Sequence, residues 1–502
     1  MKTEPHYQTR FWVITIALAA VKIIFTLRPE VNLFTEEAQY WLWSQNMAWH
    51  YYSKPPMVAV LNYLSTAILG NTELGVRINA IGLGVGISWV IYLFGSYLNG
   101  PKAGFWAALI AQAMPVWWLT STFHMTDSSQ TFFWILAVYW AYRGIEEGQR
   151  SWWIWAGVAT ALGLMAKMVM LLIFPALIIH LIFTDKLKKE KGNFAVFIGV
   201  SLLGFVPALI WNWQNNFDTF KHLATLGGAG GGESQPLDLG NSLKWFLEYW
   251  SGQLAIISPF LLPAWIVCFK DLFKKKSSKD IYLALPGILA FMAFAALSFV
   301  KRVEVNWPVF AYLGFAVVLG NWVVTKSKFW KRFASGAIVL SIAIPVVFLM
   351  PDLTGLKSID AIHRGEQKAL SRLSGHEELA HRLEFLKDSL SIEDEFYFSD
   401  SYHTASELSF YLSGHPQSYV MNMGSRKNQF DLWKDMSQFV DKDNVGIFVS
   451  MNHDSMQDRA TFETLIYEET FTPYFDDLPV RNVTIQVWKN LISYQPFIPD
   501  SY

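Results

Sequence analysis

The sequence predicts an all-α membrane bundle of about eleven transmembrane helices that carries a C-terminal extramembrane α/β domain, on three observations. Of its 502 residues, 52% are hydrophobic, 16% aromatic and only 16% charged, against roughly 25% charged in a soluble domain. Apolar runs recur through the first 350 residues at the spacing a bilayer demands, about 20 residues per crossing. After Pro351 the pattern changes to short apolar stretches alternating with polar helical ones, which is the pattern of a small α/β unit. The formal charge of -1 gives no support for a nucleic-acid partner, because the basic residues fall in short clusters between apolar runs. Cys268 is the single cysteine, so no intrachain disulfide, Cys-rich zinc site or redox pair can form.

The chain begins with a short polar segment, Met1 to Arg10, and the apolar run behind it reads as a retained first span. Spans are expected near 11–28, 74–98, 103–121, 127–143, 152–167, 168–184, 194–213, 250–269, 281–300, 307–324 and 333–350. Lys167 sits at the join of two short ones, for which one long tilted helix is the competing reading. Charge asymmetry arbitrates: Arg143 and Arg150, the lysines from Lys186 to Lys191, Lys270 with Lys274 to Lys276, and Lys326 to Arg332 belong on the cytoplasmic side. Arg150 and Lys186 share a side only if the chain crosses twice between them. That parity puts the N-terminus inside, and the first loop (29–73) and everything after Met350 outside. The domains are therefore 1–350, polytopic, and 351–502, extracytoplasmic. In the latter, helices are expected near 358–390, 404–412 and 428–439, and strands near 395–399, 418–422, 444–450 and 483–488. No glycine-rich phosphate loop opens any of these helices.

Four outer segments then present ionisable groups to one membrane face. The first, Leu33 to Pro56, carries Glu36 and Glu37 and ends on Lys54 before a double proline. Carboxylates held beside a bilayer are costly, although first-turn acids after Thr35 as N-cap give an ordinary helix start. Asp127 follows the third span and has the same ordinary reading as an N-cap. Lys167 is the third group. Arg302 and Glu304 lie in the fourth, the charged knot from Lys301 to Pro308, whose plain reading is a solvated turn. Arg77 opens the second span. Between Asn215 and Asn241, the run Gly227 to Gly232 is a slack linker or a loop that orders over a substrate. Cations gathered at an interface can neutralise a phosphate, and a carboxylate within reach of a hydroxyl can take its proton. Tyr40, Trp41, Trp43, Trp49, Tyr51 and Tyr52 suit a sugar face or an aromatic membrane belt.

At these positions the chain resembles a known family. Glu36-Glu37-Ala38-Gln39-Tyr40-Trp41, Lys54-Pro55-Pro56 and Gly75-Val76-Arg77 are similar to the first outer loop of the polytopic lipid-linked-sugar glycosyltransferases of the GT-C type. That group includes bacterial aminoarabinose–lipid A transferase and the protein O-mannosyltransferases. The resemblance continues through Thr126-Asp127, Gly163 to Lys167 and Val303 to Pro308, and reaches Thr404 to Leu408 and Asn428 to Trp433. It implies inverting transfer of a sugar from a polyprenyl-phosphate donor, of the undecaprenyl-phosphate kind, to a lipid, glycan or protein acceptor at the outer face of a bacterial inner membrane. Membrane lipids are further partners.

Carried onto this chain, the resemblance implies Glu36, Glu37 and Asp127 as catalytic groups, with either glutamate as base. Lys54, Arg77, Lys167 and Arg302 bind the donor phosphate, while Tyr40, Tyr52, Glu304 and Asn306 contact substrate. No metal ligand set is implied and no cofactor is required, though a divalent metal is compatible. The family usually has aspartate where Glu36 stands, and aminoarabinose transferases have arginine where Gln39 stands. A flippase or transporter of lipid-linked sugars would instead place charges at the membrane midplane on broken helices. A scaffold would have no need to gather acids and bases from separate loops.

Overall fold

A chain in lipid has to close its backbone hydrogen bonds within each segment, so long apolar runs become helices. The computed structural model describes residues 5–226, 239–275, 277–424, 426–453, 459–476 and 478–497; the glycine run at 227–232 lies outside the described residues. The first half runs through α1 (Pro5–Thr26), α2 (Thr35–Gln45), α3 (Met57–Leu69), α4 (Glu73–Asn99), α5 (Pro101–Gln112), α6 (Pro115–Thr120), α7 (Thr126–Glu147) and α8 (Arg150–Leu164). It continues through α9 (Ile173–Phe183), α10 (Leu187–Leu202), α11 (Val206–Gln214) and α12 (Asp218–Leu226). After the undescribed stretch come α13 (Leu239–Ile256), α14 (Leu262–Lys275), α15 (Ser278–Ser298), α16 (Tyr312–Thr325) and α17 (Lys328–Leu349).

Among the described residues, five helices are long and apolar enough to cross a membrane: His6–Thr26, Glu73–Asn99, Leu187–Gln214, Ser278–Ser298 and Lys328–Leu349. Several other apolar runs are divided by identifiable breakers. The run at 103–121 stops at Ala113 and restarts at Pro115 as α6, because proline has no N–H to continue the ladder. The run at 250–269, expected as one span, is instead two helices: α13 ends at Ile256, Ser258 takes φ +69°, and Pro259 turns the chain into α14. At 165–167 the chain also breaks. Lys167 is extended (φ -161°, ψ 134°), and a 3-10 turn then leads into α9, so two helices stand where one long helix was the alternative. Close packing sets the bundle's density. A Cβ on Gly104 of α5 would lie 2.1 Å from the Tyr92 carbonyl oxygen of α4, so only glycine lets these helices approach.

Beyond α17 the chain forms α18 (Pro351–Thr354), α19 (Asp360–Leu370), α20 (His376–Ser389) and α21 (Tyr402–Tyr411) around a five-stranded sheet. Its strands are β1 (Glu395–Ser399), β2 (Tyr419–Val420), β3 (Val445–Ser450), β4 (Ala460–Phe471) and, after a small β5 (Tyr474–Phe475) and β6 (Leu478–Pro479) pair, β7 (Val483–Tyr494). The order is β2-β1-β3-β7-β4, parallel across the first three and antiparallel at β7 and β4. The stretch 428–439 is not the expected helix. It makes two 3-10 turns, Gln429–Leu432 and Met436–Phe439, each begun by an Asn428 or Asp435 side chain that accepts a backbone N–H two residues on.

This sheet unit sits directly on α2 and the segment that leads into it. Leu33 and Trp41 share a buried cluster with Phe410, Val420 and Phe430, each such side chain contributing about 1.5–3 kcal/mol by burial. Polar contacts fix the register: the Leu33 N–H donates to the Tyr411 hydroxyl at 2.5 Å, the His376 N–H to Asn32 Oδ1 at 3.0 Å, and Arg28 pairs with Glu366 at 2.7 Å. Residues from both ends of the chain thereby cover the same end of the bundle.

Candidate active site

Successive helical residues point about 100° apart, so Glu36 and Glu37, both in the first turn of α2, face different surroundings. Glu37 is fully buried and accepts hydrogen bonds from Arg77 Nε and Nη2 (3.1 and 2.9 Å), the His124 N–H (2.8 Å) and the Phe34 N–H (3.0 Å). Arg77 also donates to the carbonyl oxygens of Val31 (3.1 Å) and Asn32 (2.6 Å), with its guanidinium over the Phe123 ring. This corrects two expectations. Arg77 and Glu37 are fully buried against each other, and neither lines the pocket that Glu36 faces. Together they pin the start of α2 to α4 and to the loop ahead of α7. Thr35 is likewise not the N-cap; Phe34 holds that place and the Glu37 side chain caps its N–H.

Glu36 faces a 750 Å³ pocket at the end of the bundle under the sheet unit. Among the described residues its side chain accepts one hydrogen bond, from the neighbouring Thr35 hydroxyl at 2.8 Å. Lys54 lines the same pocket. Its backbone carbonyl accepts the Tyr51 N–H at 3.1 Å, closing the turn before Pro55 and Pro56, while among the described residues its ammonium makes no ion pair. Burial, and then the neighbouring Lys167, push its pKa down to about 8; Asp127 and Glu36 oppose the shift, and Arg426 adds to it. Tyr40 also lines the pocket, with its hydroxyl pushed well above the usual range by burial and then by Glu36 and Asp127.

Asp127 is the second residue of α7, not its cap; Met125 precedes the helix, and its N–H is accepted by Ser128 Oγ at 3.4 Å. In that position the carboxylate is favoured by the positive helix end and receives a hydrogen bond from Lys167 Nζ at 2.7 Å. The break after α8 is what turns Lys167 toward it. Both groups line the pocket, as do Tyr52, Glu304 and Asn306. Arg302 stands at the rim, 72% exposed, where it pairs with Glu248 at 3.5 Å.

The pocket contains groups that sequence reasoning missed. Arg426 and Lys427 enter from the sheet unit, just ahead of Asn428 and Gln429; Lys427 pairs with Asp218 at 2.5 Å, and Gln429 Oε1 accepts the Tyr52 N–H at 2.7 Å. Lys301 lies over Trp307, and His222 of α12 is held down to about 4 by burial and by the cations around it, so it stays neutral. The two basic residues adjoining the Asn428 motif were the available signal, weakened by their distance along the chain from every other member of the site.

Charge thus develops in one place: acids Glu36, Asp127 and Glu304 face bases Lys54, Lys167, Lys301, Arg302, Arg426 and Lys427. These come from separate segments of the chain, with Lys167 supplied by the break between α8 and α9. Such a cavity can neutralise a phosphate and take a proton from an incoming nucleophile.

Known proteins similar to this chain are found both by sequence and by fold. A family model described as dolichyl-phosphate-mannose-protein mannosyltransferase matches residues 53–211. A lipid A galacturonosyltransferase of Rhizobium johnstonii is 22% identical over 431 residues, 81% of this chain and 86% of that protein. An undecaprenyl phosphate-alpha-4-amino-4-deoxy-L-arabinose arabinosyl transferase of Pseudomonas savastanoi pv. phaseolicola is 25% identical over 272 residues, covering 51% of this chain and 49% of that one. The crystal structure of ArnT from Cupriavidus metallidurans bound to undecaprenyl phosphate has the same fold, with a TM-score of 0.66 at 14% identity over 96% of this chain and 98% of that chain.

Proposed function

We propose that this chain, a polytopic membrane glycosyltransferase of the GT-C type, transfers an acidic sugar from an undecaprenyl-phosphate-type donor to lipid A at the outer face of a bacterial inner membrane. In this reading about eleven segments cross the bilayer, the N-terminus is cytoplasmic, and residues 351–502 form the periplasmic domain over the pocket. The observation that carries it is the pocket itself, in which Glu36 lies without an ion pair among the described residues beside Lys54 and the Asp127–Lys167 pair.

Lys54 and Arg426 neutralise the donor phosphate, and Lys167, already shared with Asp127, orients it. Glu36 removes the proton as the acceptor oxygen attacks the anomeric carbon from the face opposite the phosphate. The new C–O bond forms while the anomeric carbon–phosphate oxygen bond breaks, and its electron pair leaves with undecaprenyl phosphate. Cation pairing makes that phosphate a competent leaving group, so the reading needs no metal. Tyr40, Tyr52, Glu304 and Asn306 surround the sugar.

Six bases and three acids line the pocket, but Lys427 is paired with Asp218 and Arg302 with Glu248, so a single phosphodiester charge meets the positive charge left over and the pocket's charge does not select the sugar. The choice of an acidic sugar follows the relative named a lipid A galacturonosyltransferase. The test is transfer in proteoliposomes, with purified protein, lipid A and undecaprenyl-phosphate-linked donors bearing either a uronic acid or an aminopentose. Release of undecaprenyl phosphate with a mass gain of one uronic acid on lipid A is expected. Turnover of the aminopentose donor alone would overturn the choice of sugar, and no lipid product from either donor would overturn the reading.

A further inference from the structure

We infer that the opposite end of the bundle carries a binding site for an anionic glycerophospholipid, separate from the pocket above. A groove of 660 Å³ runs between α1, α5 and α17. Arg10, Lys102 and Lys331 stand at its mouth, each near the start of its helix and therefore at the end remote from Glu36 and Lys54. Among the described residues none of the three forms an ion pair; Lys102 lies over the Tyr7 ring, 5.9 Å from its centroid. Deeper in, the walls are apolar, with Trp106, Leu109 and Ile338 buried and Val339 and Ala343 facing outward.

Dimensions and charge together select the occupant. From Lys331 to Ala343 the helix rises about 18 Å at 1.5 Å per residue, close to one leaflet of a hydrocarbon core about 30 Å thick. A ligand that fills the groove therefore has an acyl chain, and three cations with no ion pair among the described residues select an anionic head. Basic clefts between helices on the cytoplasmic side are suited to such heads. A zwitterionic lipid would bring its own positive charge to the same three cations. A water-soluble phosphate would leave the apolar wall without a partner.

The experiment is native mass spectrometry of the delipidated full-length protein with phosphatidylglycerol or phosphatidylcholine of identical acyl chains. At least tenfold stronger retention of phosphatidylglycerol is expected. The triple substitution R10Q/K102Q/K331Q should bring that ratio to near one, each cation being worth about fivefold. Ser335→Trp, which fills the groove, should reduce retention of both lipids. Equal retention by the wild-type protein would overturn the proposal without recourse to any variant, as would a monodisperse triple variant that keeps its preference.

Discussion

Lys167 Nζ lies 2.7 Å from Asp127 Oδ1 across the pocket, joining the break after α8 to the first turn of α7. Each partner serves the other. The lysine donates to the aspartate and offsets its charge, and the aspartate leaves Lys167 with less positive charge to give a phosphate than Lys54, which has no ion pair among the described residues. Substituting either should therefore unbalance both. In a double-mutant cycle of D127N and K167M, kcat/KM is expected to show a coupling of about 0.5–3 kcal/mol; strictly additive losses would show that the pair does not act as a unit.

Glu36→Gln is the sharpest test of the base. It removes a proton acceptor but keeps the shape, so kcat should fall by about 10²–10⁴-fold, while unfolding shifts by no more than about 0.5 kcal/mol, as for a substitution outside the packed core. Wild-type turnover by this variant would exclude Glu36 as the base.

Glu37→Gln is expected to behave in the opposite way. Breaking a buried pair by neutralising one partner costs about 3–5 kcal/mol, so both E37Q and R77Q should lower the unfolding temperature and the yield of folded protein. Specific activity per folded molecule of E37Q should exceed that of E36Q. Circular dichroism melts combined with active-site-normalised rates separate the two effects.

The proposed donor role of Lys54 predicts a pH limit. Burial pushes its pKa down to about 8; if its ammonium form is the one that binds phosphate, donor affinity is present below about pH 8 and lost as pH rises through it. A bound phosphate favours the charged form and moves the titration upward. The fall in kcat/KM should therefore begin near pH 8, with kcat holding to higher pH. K54R should carry the fall in kcat/KM to far more alkaline pH, because a guanidinium stays protonated. An unchanged profile in K54R would place the limiting group elsewhere.

Arg426→Gln tests the contribution of the sheet unit to the site. The residue is exposed, and a role confined to the donor phosphate predicts a rise in KM of about tenfold or more with little change in melting temperature, by analogy with single charge-assisted contacts. An unchanged KM would remove Arg426 from the donor site.

How much of this was legible in the sequence depended on what each residue interacts with. Glu36, Lys54, Asp127, Lys167, Arg302 and Glu304 could be placed at one end of the bundle because apolar run length and cation asymmetry fix which loops share a side. Nothing local distinguishes Glu36 from Glu37. Their divergence arises from Arg77, 40 residues away, and from the direction of each side chain on α2. Arg426 and Lys427 were missed because only tertiary folding brings them above the loops. In the sheet unit, β4 escaped notice because its charged residues Glu463, Glu468 and Glu469 mask the alternation on a strand open along much of its length. The span expected at 250–269 failed at Ser258-Pro259, where backbone chemistry outweighs hydropathy.

The contact between α2 and the sheet unit also sets a timetable for biogenesis. Ala38 and Ala405 share one apolar cluster, yet a ribosome working at about 5–20 residues per second makes the second roughly 20–70 s after the first. Through that interval Leu33 and Trp41 lack Phe410, Val420 and Phe430, the sheet-unit partners that cover them in the folded chain.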